Sequence, residues 1–409
     1  PTDEEAHRVR MRQALEAGHR ATALHWYARL REALQQDLGI APDAQTQALY
    51  DRCVAGLPAH GPVFVGRALE LAQIAGWLQL PARERPGGIA LCGPAGIGKS
   101  ALCREAAQQA RSHGWSAVRV DASPAGQTYG LVSALAQRLI LDERQRLDRV
   151  GAAARAVLAQ LTPLAGPAQP LPGPLGRHQV VGAIRRLLMA AADSAPLLLL
   201  ADDVHLTEDA DVDVLMQLAV AGPPVCLLMT LRPPPEGSAL ARGIGRLQRA
   251  GALQRLDVQP LGADESRRLV ERSLPAPVAD EVLGHIVAAA QGNPFSAIEL
   301  ARCAAASAGG AMPASTAEAI AQRLCDVDAV VQAFLGWLAV CGDSVEPATL
   351  EPLAALAQAP AFAAIDAALT AGVLVVAEGR YRFRHELVRQ ALIGQIPPHQ
   401  RLKMHRALA

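Results

Sequence analysis

The 409-residue chain lacks an excess of either charge. Lys plus Arg and Asp plus Glu stand at 39 each, for a formal net charge of +0. No global field draws such a chain to nucleic acid or to an anionic membrane, although a local basic patch stays open. It also lacks a membrane-length apolar run. The strongest, Leu197–Ala201, is far too short to cross a bilayer. A cysteine pattern is missing too. Seven Cys, at 53, 92, 103, 226, 303, 325 and 341, stand singly. An odd set with no C-x-x-C pair or His/Cys cluster gives no sign of zinc and reads as free thiols in a reducing compartment. No signal peptide is visible, so the expected location is cytoplasmic, without a membrane partner. The chain opens at Pro1, without Met, inside a helix-like pattern. We expect a fragment of a longer protein.

What is there is enough apolar material for sizeable cores. Hydrophobic residues make up 51%. At ~150 residues per domain the length suggests roughly three domains. The chain is organised around Gly93-Pro94-Ala95-Gly96-Ile97-Gly98-Lys99-Ser100. This fits G-x-x-x-x-G-K-[ST], the phosphate-binding loop. Ile89–Cys92 before it reads as a buried strand, and Ala101–Gln109 after it as a helix. Glycines admit phosphate oxygens close to the backbone, and successive N–H groups with the helix N-terminus supply a positive lining. Lys99 reaches the β- and γ-phosphates, and Ser100 ligates Mg²⁺.

A second motif lies about 100 residues on. Leu197–Ala201 reads as a strand buried on both faces of a parallel sheet, ending in Asp202-Asp203. Ligands bind at the carboxyl ends of such strands. Asp202 is placed to hold Mg²⁺ and Asp203 to position the attacking water. Val225–Thr230 is a third buried strand, followed by Arg232, a cation for the phosphates. Ser116–Asp121 should be a further strand, with Asp121 as a cap or solvent-facing residue. Leu253–Val258 should close the sheet.

Around this core, three helices are expected, over Glu4–Glu16, Ala21–Leu38 and Ala44–Ala55. A stop at Gly39 and a cap at Asp43 separate the last two. Leu57–Pro62 reads as a linker. Residues 127–163 are mainly helical, residues 166–176 are a Pro/Gly-dense surface insertion, and Val180–Ala192 is an amphipathic helix. Leu261–Glu265 caps a new helix, and Gly292-Asn293-Pro294 breaks one. Val373–Val376, a turn at Glu378-Gly379 and Arg380–Phe383 read as a hairpin.

Several segments carry a family resemblance. Ala23–Leu30 and Leu34–Pro42 resemble the end of a bacterial transcriptional activator domain of the antibiotic-regulatory type. Phe64-Val65-Gly66-Arg67-Ala68-Leu69-Glu70-Leu71 resembles the opening of AAA-like and STAND signal-transduction ATPases, where this turn packs beside the adenine. Gln291–Leu300 is similar to their G-N-P-F…E-L segment, and Phe383-Arg384-His385-Glu386 to the F-R-H-[DE] of their winged helix. His205 stands where many members have the histidine of D-D-x-H-W-x-D, but Leu206-Thr207 replaces the following Trp.

The resemblance implies a multidomain α/β plus α protein. Residues 1–57 would be the helical end of the activator domain, 62–260 a P-loop nucleotide-binding domain on a parallel sheet, 261–314 a helical domain and 315–409 a winged helix. It implies ATP/ADP and Mg²⁺ as cofactors. Phe64 to Arg67, Gly93 to Ala101, Pro294 and His385 would bind nucleotide, His385 through the β-phosphate of ADP. Lys99, Asp203 and Arg232 would be catalytic, and Ser100 and Asp202 would hold the metal. The expected activity is a slow regulatory ATPase, closed with ADP and open and self-assembling with ATP. Other protomers, an unknown signal and DNA, through a domain outside this chain, are the expected partners. The alternative is a continuously working ring ATPase, with Arg242, Arg246 and Arg249 as candidate trans-acting arginines. A nucleotide-binding scaffold without hydrolysis is disfavoured by the intact Lys99, Ser100, Asp202 and Asp203.

Overall fold

The computed structural model describes residues 3–17, 19–34, 42–54, 63–122, 128–168, 175–222, 224–274, 278–306, 315–316, 318–320, 328–342, 344–357, 361–377 and 380–408. Expectations for the stop at 38–41, the 57–62 linker, the centre of the Pro/Gly stretch and the 378–379 turn lie outside the described residues. The chain divides into two compact units. One comprises Phe64–Ser266 with Gln291–Phe295. The other comprises Pro1–Val63, Arg267–Ala290 and Ser296–Ala409.

The first unit is built on a five-stranded sheet of β1 (Gly88–Cys92), β2 (Ser116–Asp121), β3 (Leu197–Asp202), β4 (Val225–Leu231) and β5 (Leu253–Asp257), in the order β2-β3-β4-β1-β5. Every pairing is parallel. The sequence dictates which strands are central. β1, β3 and β4 are buried at every position and almost wholly apolar. They must be covered on both faces. The edge strands β2 and β5 keep charged residues and are only partly buried. Successive side chains point to opposite faces. Thus Leu197, Leu199, Leu227 and Met229 join one core with the helices Gly130–Asp142, Arg177–Ala191, Asp209–Ala221 and Ala239–Arg249. Leu198, Leu200, Cys226 and Leu228 join another beneath the helices Ala68–Gln79 and Lys99–Ser112.

In the second unit, helices Glu4–Glu16, Arg20–Ala33 and Ala44–Val54 form the N-terminal part. Asp43 caps the third as expected, accepting the Thr46 N–H at 2.7 Å. The C-terminal part is helical, with a small antiparallel sheet of β6 (Ser344–Val345), β7 (Leu374–Ala377) and β8 (Arg380–Phe383) in the order β6-β8-β7. The two parts share a polar bracket around one residue. The Ala21 N–H donates to Asp366 Oδ1 at 2.8 Å, and the buried Tyr381 hydroxyl donates to the Ala21 carbonyl at 3.3 Å. None of the described cysteines forms a disulfide. Among the described residues no helix is long and apolar enough to cross a membrane.

Candidate active site

The site lies at the carboxyl ends of β1, β4 and β3. Strand β4 sits between the other two, so its last residues stand between the glycine loop after β1 and the acidic end of β3. The loop needs its glycines. Gly96 and Gly98 have φ of +79° and +97°, in the left-handed region that favours glycine. A Cβ at Gly96 would come within 2.7 Å of Asn293 Oδ1. The helix Lys99–Ser112 starts directly after Gly98, so its first N–H groups line the loop.

Lys99 is buried and folds back on its own loop. Its Nζ donates to the Gly93 and Pro94 carbonyls, both at 2.9 Å. Burial pushes its pKa down, and the nearby Arg232 pushes it the same way, while Asp203 and Asp202 oppose them. The Ser100 hydroxyl donates to Asp202 Oδ1 at 3.1 Å. Thr230 donates to the same oxygen and accepts the Asp203 N–H at 2.8 Å. Asp203 holds φ +54°, a strained conformation for a residue with a Cβ. Its side chain is 36% exposed. A hydroxyl and a carboxylate converging on one point are the hard oxygen donors that Mg²⁺ prefers. The donor set therefore fits the metal expected from the sequence.

Arg67 was expected beside the nucleotide. It is buried and bonded to backbone, with φ +65°. Its guanidinium donates to the Ile97 carbonyl at 2.8 Å, to the Gln259 carbonyl, and to Glu70 at 3.0 Å. It braces the loop from behind. Gly66 beside it has φ +72°, and a Cβ there would collide with the Glu265 carboxylate. Val65 is buried, and Phe64 packs on the core beneath the loop helix. Pro94 is exposed, whereas Ala95 and Ala101 are half-buried.

Pro294 lies 3.8 Å from the position a Cβ would take on Gly98. Its neighbours hold the loop more directly. Asn293 Nδ2 donates to the Ala95 carbonyl at 2.9 Å, and the Phe295 N–H to the Gly96 carbonyl at 3.3 Å. His385 belongs to the other unit. It caps the helix Glu386–Gln395, its Nδ1 accepting the Leu387 N–H at 3.1 Å.

Sequence reasoning overlooked Arg119 and assigned Asn293, within its G-N-P-F segment, no contact with the loop. Arg119 donates to Asp202 Oδ2 at 2.7 Å and to Asp121 Oδ1 at 2.7 and 3.0 Å. Asp121, expected as a cap or a solvent-facing residue, is an ion-pair partner of Arg119. The period of two along β2 puts residues 119 and 121 on one face, and that spacing was the available signal. His205 lies 3.9 Å from Asp203, and both its ring nitrogens are buried without a hydrogen-bond partner. Burial lowers its pKa from 6.5 to about 4, helped by Arg232 and Lys99.

Residues 63–228 match the AAA ATPase domain. The chain carries an AAA ATPase domain. Residues 1–53 match the bacterial transcriptional activator domain, ahead of the ATPase match. A search of curated proteins found no match. Among solved structures, the chain is similar to a signal transduction ATPase with numerous domains (STAND), with a tetratricopeptide repeat sensor, from Pyrococcus horikoshii. Identity is 16% and the TM-score is 0.54, over 84% of this chain and 44% of that one. This chain thus spans under half the length of that relative, and the likeness is one of fold. The Aeropyrum pernix ORC1 protein in complex with DNA is 18% identical, with a TM-score of 0.44 over 85% and 97% of the two chains. The Thermotoga maritima RuvB branch migration motor is 15% identical, with a TM-score of 0.34 over 82% and 97%.

Proposed function

We propose that this chain is the ATP/ADP-dependent switch of a signal-responsive bacterial transcriptional regulator. The observation that carries the reading is the Ser100–Asp202 contact at 3.1 Å, which joins the glycine loop after β1 to the acidic end of β3 across the intervening β4. The two matched domains support the regulatory half. The loop N–H groups from Gly93 to Ala101 would bind phosphate oxygens. Lys99 would turn from its own carbonyls to the β- and γ-phosphates. Ser100 and Asp202 would hold Mg²⁺, which when bound neutralises charge on the phosphates. Thr230 fixes the Asp202 carboxylate, and the strained Asp203 would orient the attacking water. Arg232 would meet the γ-phosphate.

Phe64 to Arg67 and Pro294 would flank the adenosine, with Arg67 acting on the loop backbone. We read residues 62–260 as the nucleotide-binding domain, 261–314 as a helical domain and 315–409, with its small antiparallel sheet, as a winged helix. In the ADP state His385 would reach the β-phosphate through its other ring nitrogen. ATP and a signal would release that contact and allow assembly with other protomers. DNA would be met by a domain outside residues 1–409. We place the protein in the cytoplasm.

The test is to denature the purified protein and identify the released nucleotide by chromatography. Near-stoichiometric ADP is expected. An empty protein turning over ATP above ~1 s⁻¹ without an effector would overturn the switch reading, because that is ordinary enzyme turnover.

A further inference from the structure

On the face of β2 that carries Arg119 and Asp121, the loop helix leaves part of the sheet uncovered. A pocket of about 400 Å³ opens there. Three guanidinium groups line it: Arg104 and Arg111 from the helix and Arg119 from the strand. Gln108 adds an amide, and Cys103 and Leu200 contribute an apolar floor.

The charges do not cancel. Arg119 has two carboxylate partners, Asp121 and Asp202. Among the described residues, Arg104 and Arg111 have none. Each bonds to backbone: Arg104 Nε donates to the Ser100 carbonyl at 3.2 Å and Arg111 Nη2 to the Ala117 carbonyl at 3.1 Å. Their remaining N–H groups have the fork geometry that matches carboxylate or phosphate. Arg104 is partly desolvated and lies within the field of Arg119, and both effects lower its pKa. An anion would relieve that repulsion.

The pocket also reaches the proposed metal site. Arg119 bonds Asp202 Oδ2, while Ser100 and Thr230 bond Oδ1. A guanidinium thus sits on the carboxylate that would hold the metal. We propose that the pocket binds a small polyanion bearing two or more carboxylate or phosphate groups, and that this ligand draws Arg119 from Asp202 and so strengthens metal binding. The coupling rests on the reading of Asp202 as the metal carboxylate; the binding of the anion does not. By reciprocity the metal strengthens anion binding equally.

The experiment uses the chain saturated with ADP, so that the glycine loop is filled. Calorimetry measures binding of tricarballylate as the carboxylate probe and inorganic phosphate as the phosphate probe. Mn²⁺ affinity is read from the electron paramagnetic resonance of free Mn²⁺, with a protein-free blank for chelation. At least one probe should bind at millimolar concentration and tighten Mn²⁺ about five- to tenfold, within the usual range of such couplings. Which probe binds decides between carboxylate and phosphate ligands.

The exposed Arg104→Gln/Arg111→Gln double variant should keep its melting temperature and its Mn²⁺ affinity without probe, and lose the response. Arg119→Gln should bind Mn²⁺ more tightly from the start and no longer respond. No binding of either probe would overturn the proposal, as would equal binding to the double variant. Probe binding without a change in Mn²⁺ affinity would overturn the coupling. Absence of Mn²⁺ binding in the unaltered protein would instead overturn the metal reading, while calorimetry still decides the pocket.

Discussion

The side-chain amide of Asn293 donates to the carbonyl of Ala95 at 2.9 Å, across 198 residues of chain. With the Phe295 N–H on the Gly96 carbonyl, it ties two consecutive loop carbonyls to a segment far away in sequence. Asn293→Ala removes a bond worth about 0.5–1.5 kcal/mol. ADP should then dissociate a few-fold faster. Stopped-flow displacement of a fluorescent ADP checks this, and an unchanged rate would mean that the contact does not hold the loop.

Lys99 is the group most committed to phosphate. Its charge-assisted contact contributes about 1.5–3 kcal/mol, so Lys99→Ala should weaken nucleotide binding about 10- to 150-fold. Equilibrium titration with a fluorescent nucleotide reads the loss. Unaltered affinity would remove the basis of the nucleotide site.

Asp203 stands in a strained turn beside Thr230 and is partly open to solvent. Asp203→Asn should abolish ATP hydrolysis while nucleotide binding persists. Phosphate release and a binding titration on the same preparation test both halves. Full turnover in the variant would remove Asp203 from the chemistry.

His205 predicts a pH dependence. Its folded pKa, about 4, lies below the ordinary 6.5, so between these values the unfolded chain binds more protons than the folded one. Stability from this group is present above about pH 6.5 and is lost as pH falls towards about 4. Lys99 and Arg232, which disfavour the imidazolium, and Asp203, 3.9 Å away, are the charges around it. His205→Phe should flatten the acid limb of the melting-temperature profile. An identical profile would show that another group governs it.

The Ala21 bracket offers a test in the other unit. Tyr381→Phe leaves the Ala21 carbonyl without this buried donor. The cost is about 1–3 kcal/mol, with a melting temperature lower by about 2–4 °C for each kcal/mol in a unit of this size. Calorimetry should show the shift in one transition only.

Much of this protein is determined by local sequence. The continuous apolar runs of β1, β3 and β4 require burial on both faces and so a parallel sheet with helices on each side. The spacing of Gly93, Gly98, Lys99 and Ser100 requires a loop open to an anion, because glycine at positive φ and a helix start are local properties. The acidic end of β3 and the place of Arg232 after β4 were legible for the same reason. What the sequence left open was the pairing of distant parts. Only the strand order puts β4 between β1 and β3, and so Thr230 against Asp202. Only the sheet's edge brings Arg119 to Asp202, 83 residues away. The motif ahead of the loop marks Arg67, but only the fold brings the Ile97 and Gln259 carbonyls to its guanidinium. Backbone conformation and burial are written residue by residue. Which charged groups meet depends on how the chain returns to the same place, and there tertiary structure decides.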